Sequence, residues 1–124
     1  MNLVDSCGWL EYFADGPNAD FFAAPIGKVG VLLVPTICVV EVFRRMLQQL
    51  GEDAALEAAG TMRNGHIADL DVPTAISAGR IGPDLGLSLA DSIIVATAMA
   101  FGAEIWTQDA DFARIPGVKY AKRK

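Results

Sequence analysis

The chain has 124 residues, 52% of them hydrophobic and 20% charged, which is enough to bury the core of one domain. Fifteen acidic residues against ten basic ones give a net charge of −5, which argues against a broad basic surface for nucleic acid. No apolar run approaches the roughly 20 residues that span a membrane, and Asp5 lies where a signal peptide would be basic. We expect one cytoplasmic domain over residues 1–124 with no membrane segment.

The first half of the chain alternates short β-rich runs with helical patterns. Its predicted elements, in chain order, are a strand over residues 1–4, a helix ended by the turn at 15–18, a helix over 19–24, a strand over 29–34, and helices over 37–50 and 52–62. Asp5 or Ser6 is placed to cap the first of these helices, and Thr36 to cap the third. On the third helix, helical spacing puts Ile37, Val40, Phe43 and Leu47 on one apolar face, and Glu41 lies beside it.

The second half continues this alternation and contains the most apolar helix. Its predicted elements are a strand over 66–70, a helix over 74–81 interrupted at Gly82–Pro83, a helix capped by Ser88 and closed by Gly102, a strand over 104–107, a helical turn over 111–113 and a strand over 118–121. Ser88 and Asp91 form an S-x-x-D capping box, and residues 93–101 are apolar on all sides, which predicts a buried helix. Strands and helices alternate throughout, so we expect an α/β fold with a parallel sheet covered on both faces.

Cys7 and Cys38 are the only cysteines, and neither belongs to a CxxC pattern. Two cysteines are too few for a disulfide scaffold. We therefore expect both to be small buried thiols rather than metal ligands or nucleophiles.

Four carboxylates stand in otherwise apolar stretches near the ends of these elements, namely Asp5, Glu41, Asp91 and Asp109. Asp5 follows the first strand and Asp109 the fourth, and parallel sheets bind ligands beyond the carboxyl ends of their strands. Asp91 lies in the first turn of the buried helix, and Glu41 reaches back from the helix after the second strand. Carboxylates are costly to gather in a low-dielectric setting without a cation, so their convergence predicts a site for Mg²⁺ or Mn²⁺. Such sites commonly hydrolyse or transfer phosphoryl groups.

Each of these acids also has a purely structural explanation. Asp5 and Asp91 would cap helices, a position that the helix dipole favours for an acid. Glu41 would pair with an arginine one turn later, and Asp109 lies in a turn, where aspartate is common. The prediction therefore rests on the four acids as a set.

Three blocks of the sequence resemble the signature blocks of PIN-domain nucleases. In chain order they are LVDSCGWLEYF (3–13), PTICVVEVFRR (35–45) and LSLADSIIVATAMAFGAEIWTQDADF (87–112). Within that family they are most similar to the VapC toxins of prokaryotic toxin–antitoxin pairs. The resemblance implies a three-layer α/β/α sandwich with a central parallel sheet of four to five strands. It also implies an endoribonuclease that uses one or two Mg²⁺ or Mn²⁺ ions, acts on RNA, forms a homodimer and has a VapB-like antitoxin as partner.

The resemblance assigns roles to individual residues. The catalytic and metal-binding acids of the blocks fall, in order, on Asp5, Glu41, Asp91 and Asp109. Thr107 matches the small hydroxyl residue that supports the metal shell, and Asp111 is an outer-shell or alternate fourth acid. Ser6 matches the hydroxyl residue after the first acid, and its backbone N–H is predicted to orient that carboxylate. Gln108 departs from the pattern, which often has arginine there, and so removes a cation near the substrate phosphate.

The implied chemistry is metal-assisted hydrolysis of a phosphodiester. An ion held by Asp5, Asp91 and Asp109, with a second nearer Glu41, would activate a water for in-line attack on phosphorus. The ribose 3′-oxygen would leave, and the product would carry a 5′-phosphate. The only histidine, His66, is expected at a strand edge rather than as a general base.

Two groups of basic residues are candidates for substrate phosphates. Arg44 and Arg45 follow Glu41 by one turn, although they equally suit a solvated helix surface or an antitoxin contact. Residues 119–124 hold four cations, which suit RNA phosphates, an acidic partner or plain solvation.

Three other functions remain compatible with the sequence. A CheY-like receiver domain would place an acidic pair after the first strand, where only Asp5 is found. A PIN-like module that binds RNA or protein without cutting would share the fold. A DNA-directed nuclease would share the site, since no residue distinguishes ribose from deoxyribose.

Overall fold

The structure, a computed structural model, describes residues 1–124 as a sheet of five parallel strands flanked by helices. The strands are β1 (Asn2–Val4), β2 (Leu32–Pro35), β3 (His66–Ala68), β4 (Glu104–Thr107) and β5 (Lys119–Tyr120). Their spatial order is β3-β2-β1-β4-β5, and every neighbouring pair is parallel. The central strand β1 pairs Leu3 with Leu33 on one side and with Ile105 on the other. The residue that follows β1 therefore lies in the middle of the sheet's carboxyl edge.

Six α-helices connect the strands. They are α1 (Ser6–Phe13), α2 (Ala19–Ile26), α3 (Thr36–Leu50), α4 (Glu52–Met62), α5 (Val72–Leu85) and α6 (Leu89–Phe101). The chain steps outward from β1 to β3 through α1–α4 and crosses back to β4 through α5 and α6. Right-handed crossovers in opposite directions place the two sets of helices on opposite faces. The predicted three-layer α/β/α sandwich is confirmed.

The core lies between the sheet and these helices. Leu33 of β2 is fully buried, and Trp9 of α1, Phe22 of α2 and Phe112 after β4 join it in one hydrophobic cluster. Residues 92–98 of α6 are also buried, but residues 99–101 are exposed, so the prediction of a helix buried over 93–101 holds only as far as Ala98. The aromatic residues of α1 and α2 are therefore mainly core residues.

The core face of α3 differs from the prediction. Its buried residues are Cys38, Val42 and Met46, at i, i+4 and i+8. Of the predicted face, Ile37 and Phe43 pack partly buried against the core, whereas Val40 and Leu47 are 58% and 44% exposed. Apolar residues occur on two faces of this helix, and helical spacing alone does not say which of them meets the sheet.

The predicted interruption of the fifth helix at Gly82–Pro83 is wrong. α5 continues through both residues and ends at Leu85, where Gly86 adopts a left-handed φ of 64° as the C-cap. Gly82 lies where α5 meets α6, and a Cβ there would overlap Ser92 Oγ. No single helix is long and apolar enough to cross a membrane; only α5 and α6 taken together meet that test, and they are bent by 117°.

Several other boundaries differ by a few residues. β2 begins at Leu32 rather than at residue 29, because residues 29–31 form a 3₁₀ turn. Thr36 is the first residue of α3 rather than its cap; Pro35 occupies the cap position and offers no side-chain hydrogen bond. β3 ends at Ala68 rather than residue 70, and α2 extends through Pro25 to its end at residue 26.

Candidate functional site

The four predicted acids meet in one cleft of about 350 Å³ at the carboxyl edge of the sheet. The predicted residues that line it are Asp5, Ser6, Glu41, Arg44, Arg45, Asp91 and Asp109. Thr107 is fully buried and does not line the cleft itself, but its hydroxyl is hydrogen-bonded to Asp5 and to Asp109, which do. Asp111 is exposed at the rim. The acids that the topological argument brings to one edge therefore do line a common cleft.

Asp5 occupies the centre of the cleft floor. It follows the central strand β1, caps α1 through a bond from Gly8 N–H to Oδ1 (3.0 Å), and is only 2% exposed. Thr107 Oγ1 donates to Oδ2 at 2.6 Å, and Cys7 Sγ donates to Oδ1 at 3.0 Å. Three donors from the chain thus fix the orientation of this carboxylate.

Burial raises the pKa of two acids in the cleft. Desolvation raises the pKa of Asp5 to about 6, the nearby Asp109 adds to that rise, and the hydrogen bonds to Asp5 oppose it. The pKa of Asp91 is also raised, first by desolvation and then by the negative charges of Asp109, Glu41 and Asp111. The acids are therefore close enough to repel one another.

Glu41 is held by a residue of the first block. Ser6 Oγ donates to Glu41 Oε1 at 2.6 Å and so links the start of α1 to α3. The prediction that the Ser6 backbone N–H orients Asp5 is wrong, because that carboxylate takes its backbone bond from Gly8. A carboxylate at the N-cap accepts from N–H groups two or three residues ahead, which excludes its immediate neighbour.

The third and fourth acids form the tightest cluster. Carboxylate oxygens of Asp91, Asp109 and Asp111 lie within 4.8 Å of one another. Asp91 is the third residue of α6, whose cap Ser88 accepts from the Asp91 N–H at 3.3 Å. Asp109 caps the 3₁₀ turn at 110–112 by accepting from the Asp111 N–H at 2.9 Å. Local capping bonds thus hold both acids where their carboxylates face each other.

The donor set fits a divalent cation. Every candidate ligand is a carboxylate oxygen, the hard donor that Mg²⁺ and Mn²⁺ prefer. The only ion pair in the protein joins Lys119 to Glu104, so no cationic side chain is paired with the acids of the cleft. The upward pKa shifts of Asp5 and Asp91 reflect that unbalanced charge together with burial. A bound ion of charge +2 would remove the repulsion.

Four residues that line the cleft were not predicted as part of it, namely Cys7, Leu10, Gln48 and Ile94. Cys7, expected to be a buried thiol, is only partly buried and lines the cleft beside Asp5. Its position two residues after the cap of α1 was the available signal. Gln48 also lines the cleft, and its spacing of seven residues from Glu41, two helical turns on the same face, was the signal there.

The other cysteine and the only histidine, both discussed in the sequence analysis, lie outside the cleft. Cys38 is fully buried in α3, as expected. His66 is exposed at the start of the edge strand β3, against the ring of Phe101. It lies at the amino edge of the sheet, opposite the acids, which confirms the expected strand-edge position.

Solved structures of similar fold come from toxin–antitoxin systems. A toxin–antitoxin complex from Klebsiella pneumoniae aligns with a TM-score of 0.78 and 24% identity over 95% of each chain. The sarcin–ricin-loop-cleaving toxin VapC20 of Mycobacterium tuberculosis aligns with a TM-score of 0.81 and 16% identity over 96% of this chain and 98% of that one. A DNA-bound VapBC complex from Salmonella typhimurium aligns with a TM-score of 0.75 and 18% identity over 98% of each chain. These likenesses confirm a VapC-like fold.

A comparison with curated protein sequences finds no significant match. The profile of the PIN domain, by contrast, matches residues 3–118, a range that includes β2, β3, β4 and most of β1. The three sequence blocks and all the acids of the cleft lie within that range. The chain therefore belongs to the PIN-domain family.

Proposed function

We propose that this protein is a divalent-metal-dependent endoribonuclease and the toxin of a toxin–antitoxin pair. The observation that carries the proposal is the convergence of Asp5, Glu41, Asp91 and Asp109 on one polar cleft, with no ion pair to any of them. PIN-domain membership supports nuclease chemistry. The likeness to VapC20, a sarcin–ricin-loop-cleaving toxin, supports RNA rather than DNA as the substrate.

The four acids would hold one or two Mg²⁺ or Mn²⁺ ions. A bound ion would supply the Lewis acid that phosphodiester hydrolysis requires. Asp91 and Asp109 are close enough to share one ion with Asp111. Thr107 and Cys7 donate hydrogen bonds to Asp5, and Ser6 donates one to Glu41. These bonds orient both carboxylates in advance, so neither carboxylate needs to reorganise when an ion or a substrate binds.

The rest of the cleft would hold the substrate. Arg44 and Arg45 are exposed on α3, line the cleft and have no acidic partner, so both are free to bind phosphate. In the reaction, a water oxygen bonds to phosphorus in line, and the bond from phosphorus to the ribose 3′-oxygen breaks. The 3′-oxygen takes a proton, and the other product carries the 5′-phosphate.

The proposal extends to partners and assembly. Three of the solved structures of similar fold are toxin–antitoxin or VapBC complexes, which supports a VapB-like antitoxin as partner. We also propose that residues 1–124 act as one domain, that two copies form a homodimer, and that the protein works in the cytoplasm. An antitoxin that covers the cleft would keep the nuclease silent.

The test is cleavage of a labelled single-stranded RNA and of the DNA of matching sequence by the antitoxin-free protein. Reactions contain Mg²⁺, Mn²⁺ or EDTA, and the variants are Asp91→Asn and Glu41→Gln. We expect RNA cleavage that EDTA abolishes and that each variant reduces at least about 100-fold, the usual scale for removal of a group that stabilises charge in the transition state.

Glu104→Gln is the matched control. It makes the same chemical change as Glu41→Gln, but at the amino edge of the sheet, where Glu104 begins β4. It should cleave like the wild type. Equal cleavage of DNA would make the protein a general nuclease. Folded wild-type protein that cuts neither polymer, across a panel that includes tRNA, would contradict the proposal and favour a binding module.

A further inference from the structure

We propose that Lys122–Lys124 form a basic arm that binds a substrate phosphate beside Asp109. A single strand would then cross the carboxyl edge of the sheet from α3 to β5, with Arg44 and Arg45 on one side of the acids and the arm on the other. This inference rests on the proposed function and adds the path of the substrate.

The start of the arm is held by hydrogen bonds next to the loop that carries Asp109. The Ala121 N–H donates to the Thr107 carbonyl oxygen at 3.0 Å, which extends the β4–β5 pairing by one bond. Asn18 Nδ2 donates to the Lys122 carbonyl oxygen at 3.0 Å and to Gln108 Oε1 at 3.0 Å. An amide nitrogen has two hydrogens, and Asn18 uses both in these bonds. We call this contact of Asn18 with Gln108 and Lys122 the junction.

Asn18 is a buried positioning residue. It is 4% exposed, and its backbone N–H is itself held by Glu11 Oε2 at 2.8 Å. Gln108, the position where the family pattern often has arginine, is equally buried and serves as the other half of the junction. Asn18 and Gln108 therefore hold the start of the arm without carrying a charge themselves.

The geometry keeps the arm near the acids. The hydrogen bonds that hold the start of the arm are made to Thr107 and Gln108, which immediately precede Asp109. A chain of three residues reaches at most about 10 Å from its anchor. The arm therefore stays within one or two phosphate groups of the cleft.

The three positive charges of the arm are not paired with any acidic side chain of the protein. Lys122, Arg123 and Lys124 are all exposed, and none of them forms an ion pair, since the only pair is Lys119–Glu104. The acids of the cleft repel phosphate, so a nucleic acid needs cations on both sides of them. This local arrangement also explains how a protein of net charge −5 would hold an anionic polymer.

The strand order gives the direction of the path. α3 follows β2, and the arm follows β5, which is three strands away in the order β2-β1-β4-β5. At about 4.8 Å between strands, the carboxyl ends of β2 and β5 are separated by roughly 14 Å across the sheet edge. Asp5 and Asp109, which follow the two strands between them, lie under the middle of that path.

The test measures binding of a labelled single-stranded RNA at several salt concentrations, in an Asp91→Asn background that limits turnover. Lys122→Gln/Arg123→Gln should weaken binding at low salt and reduce the slope of log K against log salt by about 0.7 for each phosphate that the variant no longer neutralises. Asn18→Ala should reduce the slope in the same direction although it changes no charge. A purely structural role for Asn18 would lower stability but leave the salt slope unchanged.

Lys28→Gln/Arg63→Gln is the matched control. Like the test variant, it removes one lysine charge and one arginine charge. Each of these exposed residues precedes a strand and so lies near the amino edge of the sheet. Its slope should equal that of the parent. An equal reduction in both double variants would overturn the arm and leave only an effect of net charge.

Cleavage by the wild type is measured alongside, so that the two proposals are separable. Wild-type cleavage of RNA together with an unchanged slope in Lys122→Gln/Arg123→Gln would overturn the arm alone and point to an acidic protein partner for it. A wild type that neither binds nor cleaves RNA would overturn both proposals.

Discussion

Thr107 Oγ1 donates a hydrogen bond of 2.6 Å to Asp5 Oδ2 and joins the carboxyl ends of the adjacent strands β1 and β4. The same oxygen accepts from the Asp109 N–H at 2.9 Å. One hydroxyl thus orients the side chain of one acid and the backbone of another. Because Thr107 is fully buried, no water competes for either bond.

Thr107→Val should destabilise the metal-free protein by about 1–3 kcal/mol, since it keeps the shape of the side chain but leaves the buried Asp5 Oδ2 without this donor. The pKa of Asp5 should rise further, because the bond that is removed is one that lowers it. Urea unfolding near neutral pH measures the first effect. Thr107→Ser keeps the hydroxyl and should lie much closer to the wild type; equal stability of all three proteins would contradict this role of the bond.

Asp5→Asn should stabilise the metal-free protein, and more so at higher pH. The folded-state pKa of Asp5 is about 6, against 3.8 for the unfolded chain, so the folded state binds more protons between these values. The contribution of Asp5 to stability is therefore fully present below the unfolded pKa and is lost as the pH rises through the folded pKa. The gain from the variant should be larger by about 2 kcal/mol near pH 7.5 than near pH 4.5, measured by unfolding in EDTA. A gain that does not change with pH would show that Asp5 ionises normally in the folded protein.

Mn²⁺ should raise the melting temperature of the wild type in the absence of any substrate. A ligand that binds only the folded state at about 100 times its Kd adds about 2.7 kcal/mol. Asp109→Asn removes one of the three clustered carboxylates and should lose most of that shift. Glu104→Gln, at the opposite edge of the sheet, should keep it. Equal shifts in all three proteins would indicate ion binding elsewhere on this acidic chain.

The parallel sheet and the meeting of the acids follow from sequence reasoning because parallel topology leaves few choices. Once Asp5 and Asp109 are placed after strands, the carboxyl edge is the only place where they can meet. The capping box at Ser88 likewise predicts the position of Asp91 correctly. These inferences use local chemistry and chain topology, which the sequence carries directly.

The details that sequence reasoning missed depend on packing between elements. The predicted apolar face of α3 is only half right because that helix is apolar on two sides, and only packing against the rest of the core selects Cys38, Val42 and Met46 as its buried residues. Cys7 was expected to be a buried thiol with no part in the site, but it donates to Asp5, a contact that depends on how the first turn of α1 meets Thr107. The hydrogen bond from Asn18 to Gln108 joins residues 90 positions apart, so no local sequence pattern predicts it.

Both thiols should resist alkylation in the native protein. Burial and the charge of Asp5 raise the pKa of Cys7 to about 12, and burial raises the pKa of Cys38. At about pH 8, only roughly one Cys7 in ten thousand would be a thiolate, the reactive form. Mass spectrometry after iodoacetamide treatment should find two modified cysteines in urea and none without it. Rapid labelling of Cys7 in the folded protein would mean that its thiol is not held against the Asp5 carboxylate.

Two glycines of α5 offer a matched pair for testing how closely this helix packs on α6. Gly82→Ala should destabilise the protein by about 1–3 kcal/mol, because the added Cβ overlaps Ser92 Oγ and must displace that hydroxyl from its hydrogen bond to the Ser88 carbonyl oxygen. Gly79→Ala makes the same change three residues earlier, where nothing lies within 4 Å of the new Cβ. There the lower entropy of the unfolded chain should stabilise the protein by about 0.5–1 kcal/mol. Thermal unfolding of the two variants should therefore shift in opposite directions. A gain in both would mean that Gly82 does not mark a close contact, and that α5 is free to move relative to the helix that carries Asp91.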